Sequence, residues 1–307
     1  MININKIPGM IEPIEQNLLL NLASTTDFSK GVIVEFGPYF GKSTACLLNG
    51  ALQNPSLTKN KIHLYTHDSF QAEIGRGFDK YIFRDAKKSN LENALFIENN
   101  KVNFRSIYDY YLSSYEGKLI QTTEIEIKDL QIFNENIELI FIDCPKTFKD
   151  FFYIFENFFT KLNINSTIVF QDYFYQWSSS LIASIQLLLN DKKIEVKTTA
   201  ASSLVVQLTD KINNSYIKKI NEIMKCDNLY SLIEQSRKNF NNSNMDRYYQ
   251  FYPRLILAQL EYAYHNNNSE EINDVMKFFL SDVNFINAAT LNDLSELISN
   301  KFNILGN

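Results

Sequence analysis

The chain has 307 residues, of which 45% are apolar, and it carries a net charge of −5 at neutral pH. This apolar content excludes a disordered chain, and the mild negative charge without a dense basic cluster argues against a nucleic-acid ligand. The three cysteines (Cys46, Cys144 and Cys226) are scattered, and the start of the chain has no signal-peptide pattern, which together predict a cytoplasmic protein. No apolar run reaches about 18 residues, so we expect that the chain does not enter a membrane.

The first half of the chain alternates short β-branched runs with helical patterns, which predicts a parallel sheet covered by helices on both faces. In chain order, the pattern predicts a helix at 13–23, a strand at 32–34, a glycine turn at 37–41 that opens a second helix, a strand at 62–65, a helix at 76–96 and a third strand at 102–104. Ile125 and Ile127 alternate with charged residues, which predicts an extra edge strand.

The second half continues this alternation and then changes to helices. The pattern predicts a strand at 137–142, a helix with a stripe of phenylalanines, a strand at 166–170, a hairpin-like pair at 194–196 and 204–208, and later helices at 216–224, 229–240 and 253–265. We therefore predict an α/β fold with a Rossmann-like sheet over residues 1–210. Residues 211–307 are predicted to form an α-helical appendage for dimerisation, substrate covering or partner docking.

A glycine-bounded turn follows the first predicted strand. Glu35 ends the strand, Gly37 and Gly41 bound the turn, and the next helix starts directly afterwards. Glycines permit tight turning and a close approach of the backbone to a ligand. The two glycines are four positions apart, whereas a phosphate-binding loop of the Walker type requires five, and the dinucleotide-binding spacing is also missing.

The pattern E-x-G-x-x-x-G-x-S/T at this turn instead resembles the first motif of class I S-adenosylmethionine (SAM) methyltransferases. The resemblance implies that the turn packs against the methionine and ribose parts of SAM, and that Glu35 supports the loop or the methionine ammonium. The residues that it assigns to the cofactor here are Gly37, Pro38, Tyr39, Gly41, Ser43 and Thr44. From the residues alone, the turn could also belong to an unrelated α/β fold.

A second acid ends the next strand, in His67-Asp68-Ser69-Phe70. In the resembled family an acid at this place accepts hydrogen bonds from both ribose hydroxyls, and the following residues flank the adenine. The resemblance therefore adds Asp68, Ser69 and Phe70 to the cofactor site. A carboxylate suits a cis-diol because its two oxygens can accept both bonds. Taken alone, Asp68 could equally be a turn or helix-cap residue.

Two further acids, Asp143 and Asp172, end later strands of the predicted sheet, where ligands of open α/β sheets bind. Their spacing resembles the small-molecule and sugar O-methyltransferases that include the macrocin enzymes. Some of these relatives bind a divalent cation with three carboxylates, but Cys144-Pro145-Lys146 replaces the middle acid here. Asp143 and Asp172 could still hold Mg²⁺ with waters and substrate oxygens. Without a metal, Asp143 would border the SAM pocket and Asp172 would shape the acceptor site.

Transfer to a hydroxyl also requires a base or a cation. His67, Asp143 and Asp172 are the candidate catalytic residues, and Lys146 could serve if burial lowered its pKa. The alternative for His67 is a structural ring at the end of its strand. The aromatic residues that follow the fifth strand (Tyr173, Phe174, Tyr175 and Trp177) could wall an acceptor pocket or pack against the helical tail.

The sequence therefore predicts a SAM-dependent methyltransferase that acts on a hydroxyl of a small molecule or sugar. One alternative is a non-catalytic or repurposed methyltransferase fold that binds a partner through its helical tail. A nucleotide-binding enzyme would need a phosphate loop or a basic clamp, and neither is evident. The expected partners exclude nucleic acid and membranes, and self-association stays open.

Overall fold

The computed structural model describes residues 1–58, 60–145, 147–175, 178–225, 229–242, 252–265 and 269–281. The strands are β1 (Val32–Phe36), β2 (Leu64–Asp68), β3 (Gln71–Glu73), β4 (Phe96–Glu98), β5 (Lys101–Asn103), β6 (Ile120–Glu124), β7 (Ile137–Ile142), β8 (Leu162–Phe170), β9 (Ile194–Ala200) and β10 (Ser203–Leu208). The helices are α1 (Pro13–Thr25), α2 (Lys42–Gln53), α3 (Phe78–Lys88), α4 (Arg105–Leu112), α5 (Phe148–Phe158), α6 (Ser179–Asn190), α7 (Asn214–Met224), α8 (Tyr230–Asn242), α9 (Tyr252–His265) and α10 (Ser269–Ser281).

Seven strands form one mixed sheet in the order β6-β2-β1-β7-β8-β10-β9. The first five are parallel, and β10 runs antiparallel to both β8 and β9. Short β-branched runs form such a sheet because both of its faces are covered by helices. The predicted α/β fold, with a Rossmann-like sheet and a helical C-terminal region, is confirmed.

Successive residues of β1 point to opposite faces of the sheet, and each face has its own apolar core. Ile33 packs with the cluster beneath α1 and α2, whereas Val34 and Phe36 pack with the cluster beneath α5 and α6. All five residues of β1 are buried, as expected for a central parallel strand. No helix in the described ranges is long and apolar enough to span a bilayer.

The third strand of the main sheet is not the one that the sequence predicted. The predicted strand at 102–104 corresponds to β5, which lies between β3 and β4 in a separate antiparallel sheet. The third parallel strand is β6, which pairs with β2 from Leu64 to Asp68. The edge strand predicted around Ile125 and Ile127 therefore lies earlier in the chain. Its pairing with β2 ends at Glu124, opposite Asp68, which is the last residue of β2.

The helix predicted at 76–96 is shorter than expected. It occupies Phe78–Lys88, and Asn90 follows it with a φ of +55°. A residue in this left-handed conformation cannot continue a right-handed helix. The chain then forms β4 instead.

The helices after residue 210 share a core with the sheet. Ile217 and Ile220 of α7 belong to the same apolar cluster as Phe155 of α5 and Ile182 of α6. Helices α8 and α9 extend this cluster. The division of the chain into two parts at residue 210 stays a prediction, because residues on both sides of this boundary contribute to one apolar core.

Candidate active site

The glycine turn lies between the ends of three neighbouring strands. Gly37 and Gly41 adopt φ values of +81° and +92°, and the N–H of Gly37 donates to the carbonyl of His67 at 3.0 Å. A Cβ atom on Gly37 would lie 3.1 Å from Cβ of Cys144 and 3.2 Å from the carbonyl carbon of Asp143. Glycine is therefore required here both by the backbone conformation and by the close approach of the loop after β7.

Glu35 lies beneath this turn and is fully buried. One carboxylate oxygen, Oε2, accepts a hydrogen bond from the Thr44 hydroxyl at 2.7 Å. Burial raises the pKa of Glu35 to about 7. Its other oxygen, Oε1, has no hydrogen-bond partner among the described residues. A buried acceptor without a partner is unusual in proteins, and it fits a site that receives a cationic donor such as the SAM ammonium.

Asp68 is held in place by backbone donors at the end of β2. Its carboxylate accepts from the N–H of Phe70 at 2.7 Å and, more weakly, from the N–H of Tyr39 at 3.4 Å. Ser69 adds a third backbone donor, and burial raises the pKa of Asp68 to about 6. The structure thus joins the acid of the second motif to the glycine turn of the first. This contact brings the two predicted cofactor motifs together, and the ribose-binding role of Asp68 stays a prediction.

Asp143 and Asp172 follow the ends of the adjacent strands β7 and β8. The N–H of Asp143 donates to the carbonyl of Phe36 at 3.0 Å, and the N–H of Gln171 donates to the carbonyl of Ile142 at 3.0 Å. These bonds keep the ends of β1, β7 and β8 level, so both acids lie at the carboxyl edge of the sheet. In the described part of the chain, no group of three or more His, Cys, Asp or Glu side chains could hold a metal ion.

Three non-glycine residues at this edge adopt the left-handed conformation. The φ values are +53° for Tyr39, +50° for Phe70 and +61° for Asp172. Such a conformation costs roughly 1–3 kcal/mol per residue and persists only where the surroundings enforce it. The three residues lie beyond the ends of β1, β2 and β8. Their positions therefore mark this edge as a site where the backbone is held for function.

His67 does not join this constellation. Its ring stacks on Phe36 at a centroid distance of 5.1 Å and contacts the edge of Phe158 at 5.3 Å. Neither ring nitrogen has a hydrogen-bond partner among the described residues, and burial lowers the pKa to about 4. The strand alternation directs His67 to the α5 face of the sheet, because it is the register partner of Phe36. This placement favours the structural alternative over the predicted catalytic role.

The aromatic residues after β8 pack against the helical tail. Tyr173 and Phe174 are fully buried, and their rings lie 5.7 Å and 5.2 Å from the ring of Phe240 in α8. The hydroxyl groups of Tyr173 and Ser236 form a 2.6 Å hydrogen bond. Of the two predicted roles, packing against the tail is the one seen for these two residues. Lys146 and Trp177 lie outside the described residues.

Glu15 of α1 is a site residue that the sequence did not reveal. Its Oε1 accepts hydrogen bonds from Ser203 at 2.7 Å and from Ser202 at 3.3 Å, and burial raises its pKa. Asp172 is close enough to raise that pKa further. The only signal in the sequence was Glu12-Pro13-x-Glu15, which predicts no more than a helix cap. The observed carboxylate instead ties α1 to the turn before β10, beside Asp172.

The strand order, the glycine turn after β1 and the fixed acid at the end of β2 agree with the resemblance to class I SAM-dependent methyltransferases. Residues 34–173 match the family model described as a methyltransferase domain. No curated protein matches the chain in sequence.

Several solved structures resemble the chain. The O-methyltransferase NovP is 14% identical, with a TM-score of 0.44 over 66% of this chain and 82% of its own. The SAH-bound methyltransferase PaMTH1 of Podospora anserina is 15% identical, with a TM-score of 0.42 over 67% of this chain and 81% of its own. CalS11, a TDP-rhamnose 3'-O-methyltransferase of calicheamicin biosynthesis, is 15% identical, with a TM-score of 0.38 over 64% of this chain and 78% of its own.

Proposed function

We propose that the protein transfers the methyl group of SAM to a hydroxyl group of a small molecule or sugar. The observation that carries this proposal is the junction of the two cofactor motifs, where the Asp68 carboxylate binds the backbone of both its own loop and the glycine turn. The net negative charge of the chain disfavours a nucleic-acid acceptor.

In the proposed cofactor site, Asp68 accepts hydrogen bonds from the two ribose hydroxyls. Glu35, through its unpartnered Oε1, receives the methionine ammonium, and its other oxygen stays bound to Thr44. Gly37 lets the glycine turn pack directly against the loop after β7, which carries Asp143. These residues hold the cofactor in one orientation, and such positioning is the main contribution of the protein to an in-line displacement.

SAM supplies an electrophilic methyl group on a sulfonium centre. The acceptor oxygen forms a bond to this carbon as the carbon–sulfur bond breaks, and the hydroxyl proton must pass to a base. We assign that role to the pair Asp143 and Asp172, because both acids lie at the carboxyl edge beside the glycine turn. A divalent cation held by these two acids is the alternative way to activate the hydroxyl. Loss of transfer in EDTA, with recovery in Mg²⁺, would identify the cation as the activator.

The proposed cofactor site is tested with S-adenosylhomocysteine (SAH), because the product can be titrated without knowing the acceptor. We expect calorimetry to show binding by the wild type and by Asp129→Asn, a change at an exposed acid outside the site. We expect Asp68→Asn to lose at least about tenfold in affinity, because an amide cannot accept both ribose bonds. Equal binding by all three proteins would remove Asp68 from the site, and no binding by the folded wild type would contradict the proposed function.

The proposed reaction is tested with isotopically labelled SAM and a panel of hydroxyl compounds. Label should pass to an acceptor oxygen in the wild type, and Asp143→Asn should slow this step while SAH affinity changes little. Label found on nitrogen or carbon acceptors alone would overturn the assignment to hydroxyl groups.

A further inference from the structure

A polar cavity lies beside the glycine turn, away from the strand-end acids Asp143 and Asp172. Its volume is about 320 Å³. It is lined by residues 5–9 of the N-terminal segment, by Lys42 at the start of α2, and by Arg84, Asp85 and Lys88 of α3. This volume is within the range of small-molecule sites. None of these residues has a role in the proposed transfer reaction.

The charge of this cavity is strongly one-sided. Four cationic side chains line it, whereas the whole chain carries a net charge of −5. The lining carboxylate, Asp85, already binds the Arg84 guanidinium through two bonds of 2.8 Å and 3.1 Å. Within the described residues, Lys6 and Lys42 make no ion pair. Lys88 lies 3.9 Å from the same carboxylate, so Asp85 faces two cations and the cavity keeps an excess of positive charge, mainly from Lys6 and Lys42, that favours an anion.

The N-terminal wall of the cavity is fixed to the fold. The backbone N–H and carbonyl of Ile2 form two bonds, of 2.9 Å and 2.8 Å, with the side-chain amide of Asn49 in α2. Ile7 is buried in the apolar cluster on this face of the sheet. A Cβ atom on Gly9 would lie 2.9 Å from Cβ of Lys42, so the segment packs tightly on that lysine. These contacts hold Lys6 near Lys42.

The cavity is connected to the proposed cofactor site through two residues. Lys42 directly follows Gly41, the last residue of the glycine turn. Asp85 accepts a hydrogen bond of 3.4 Å from the hydroxyl of Tyr39, whose backbone N–H binds Asp68. A group bound in the cavity would therefore lie next to the turn that we propose positions SAM. Such a group could be one end of an elongated acceptor.

We propose that this cavity binds a phosphate or diphosphate group of the acceptor, which makes the acceptor a phosphorylated small molecule. Lysine ammonium groups act as point charges that suit phosphate. The fork of Arg84 is occupied by Asp85, so the lysines are the side chains left to bind the anion, and their combined charge favours a multiply charged phosphate over a singly charged carboxylate. The assignment of the acceptor rests on the proposed methyl transfer, but the binding of phosphate does not.

The test is a calorimetric titration of the full chain, saturated with SAH, with UDP-glucose and with inorganic pyrophosphate. We expect the double variant Lys6→Gln/Lys42→Gln to bind UDP-glucose at least about tenfold more weakly at low ionic strength, where screening is small. These substitutions break no described ion pair. The matched control is Lys87→Gln on α3, which removes the same charge from an exposed residue outside the cavity. It should change the affinity by less than about twofold.

Four results would overturn the proposal. The first is that neither probe binds the wild type. The second is that Lys87→Gln weakens binding as much as the double variant does, which would indicate diffuse charge. Pyrophosphate binds as tightly as UDP-glucose, which would indicate a free anion and not an acceptor. SAH affinity falls in the double variant, which would assign the lysines to the cofactor carboxylate. The separate SAH titration of the wild type decides whether the methyltransferase site itself binds its cofactor.

Discussion

Replacing His67 with phenylalanine separates a packing role from a catalytic one. The His67 ring lies among Phe36 and Phe158, and both of its nitrogens lack partners among the described residues. A phenylalanine ring fits the same aromatic contacts and removes two buried polar atoms. Such atoms cost about 1–3 kcal/mol each when they are left unsatisfied. We therefore expect the variant to be at least as stable as the wild type at pH 8.

The pH dependence of stability gives the magnitude of the destabilisation that His67 causes at low pH. Burial lowers the pKa of His67 from 6.5 to about 4. Between these values the unfolded chain binds a proton and the native protein does not, so wild-type stability is lost as the pH falls from 6.5 towards 4. A shift of this size corresponds to about 3 kcal/mol. Phenylalanine carries no proton, and the variant should therefore not show this loss.

The assay is urea unfolding at pH 8, 6 and 4, followed by circular dichroism. The buried acids Glu35 and Asp68 have raised pKa values and act in the opposite direction, so the difference between variant and wild type isolates His67. His63→Phe is the contrasting variant, because Nε2 of His63 binds the carbonyl of Thr58 at 3.0 Å and its loss should destabilise the protein at pH 8. If His67→Phe kept its stability and SAH affinity but lost methyl transfer, His67 would be the base and the packing argument would be refuted.

Three other predictions follow from the site. Gly37→Ala should lose about 1–3 kcal/mol of stability and most SAH affinity, because its Cβ meets the loop after β7 at 3.1 Å. The control is Gly117→Ala, which has a φ of +70° and no atom within 4 Å of the added Cβ, so it should cost strain alone and keep SAH binding in calorimetry. SAH affinity should fall by more than about tenfold from pH 7 to pH 5, since the ionised carboxylates of Asp68, with a pKa of about 6, and of Glu35, with a pKa of about 7, are the binding forms, and Asp68→Asn should remove the tenfold part of this fall that Asp68 contributes. Ser203→Ala should destabilise the protein by about 1.5–3 kcal/mol at pH 8 in urea unfolding, because it removes a 2.7 Å bond to buried Glu15, and an unchanged midpoint would contradict that bond.

The meeting of the glycine turn with the acid of the next strand was predictable from the sequence because its signals are local. The residues from Glu35 to Thr44 combine a buried strand, glycines and a helix start within one short segment, and each has a direct physical meaning. Asp68 was predictable because it ends the next strand of the same sheet. Parallel strands bring their carboxyl ends to one edge, so spacing along the chain was enough to predict proximity.

The surroundings of Asp172, which we propose as the acceptor end, were less predictable because their contacts join distant parts of the chain. Glu15 and Ser203 are 188 residues apart, and no local pattern links them. The order of the strands was also misjudged, since Val102 satisfies the strand pattern as well in a small antiparallel sheet as in the main one. For His67, the residue type suggested chemistry, whereas the alternation of the strand decided the face and placed the ring in the core.

The hydrogen bond between Tyr173 and Ser236 couples two regions that the chain order keeps apart. Tyr173 immediately follows Asp172, and Ser236 lies in α8, so substitutions on α8 are felt at the acceptor end of the sheet. The glycine turn has no comparable bond to α8 among those described. A substitution in α8 would therefore act first on the sheet edge that we propose for the acceptor, and only indirectly on the glycine turn.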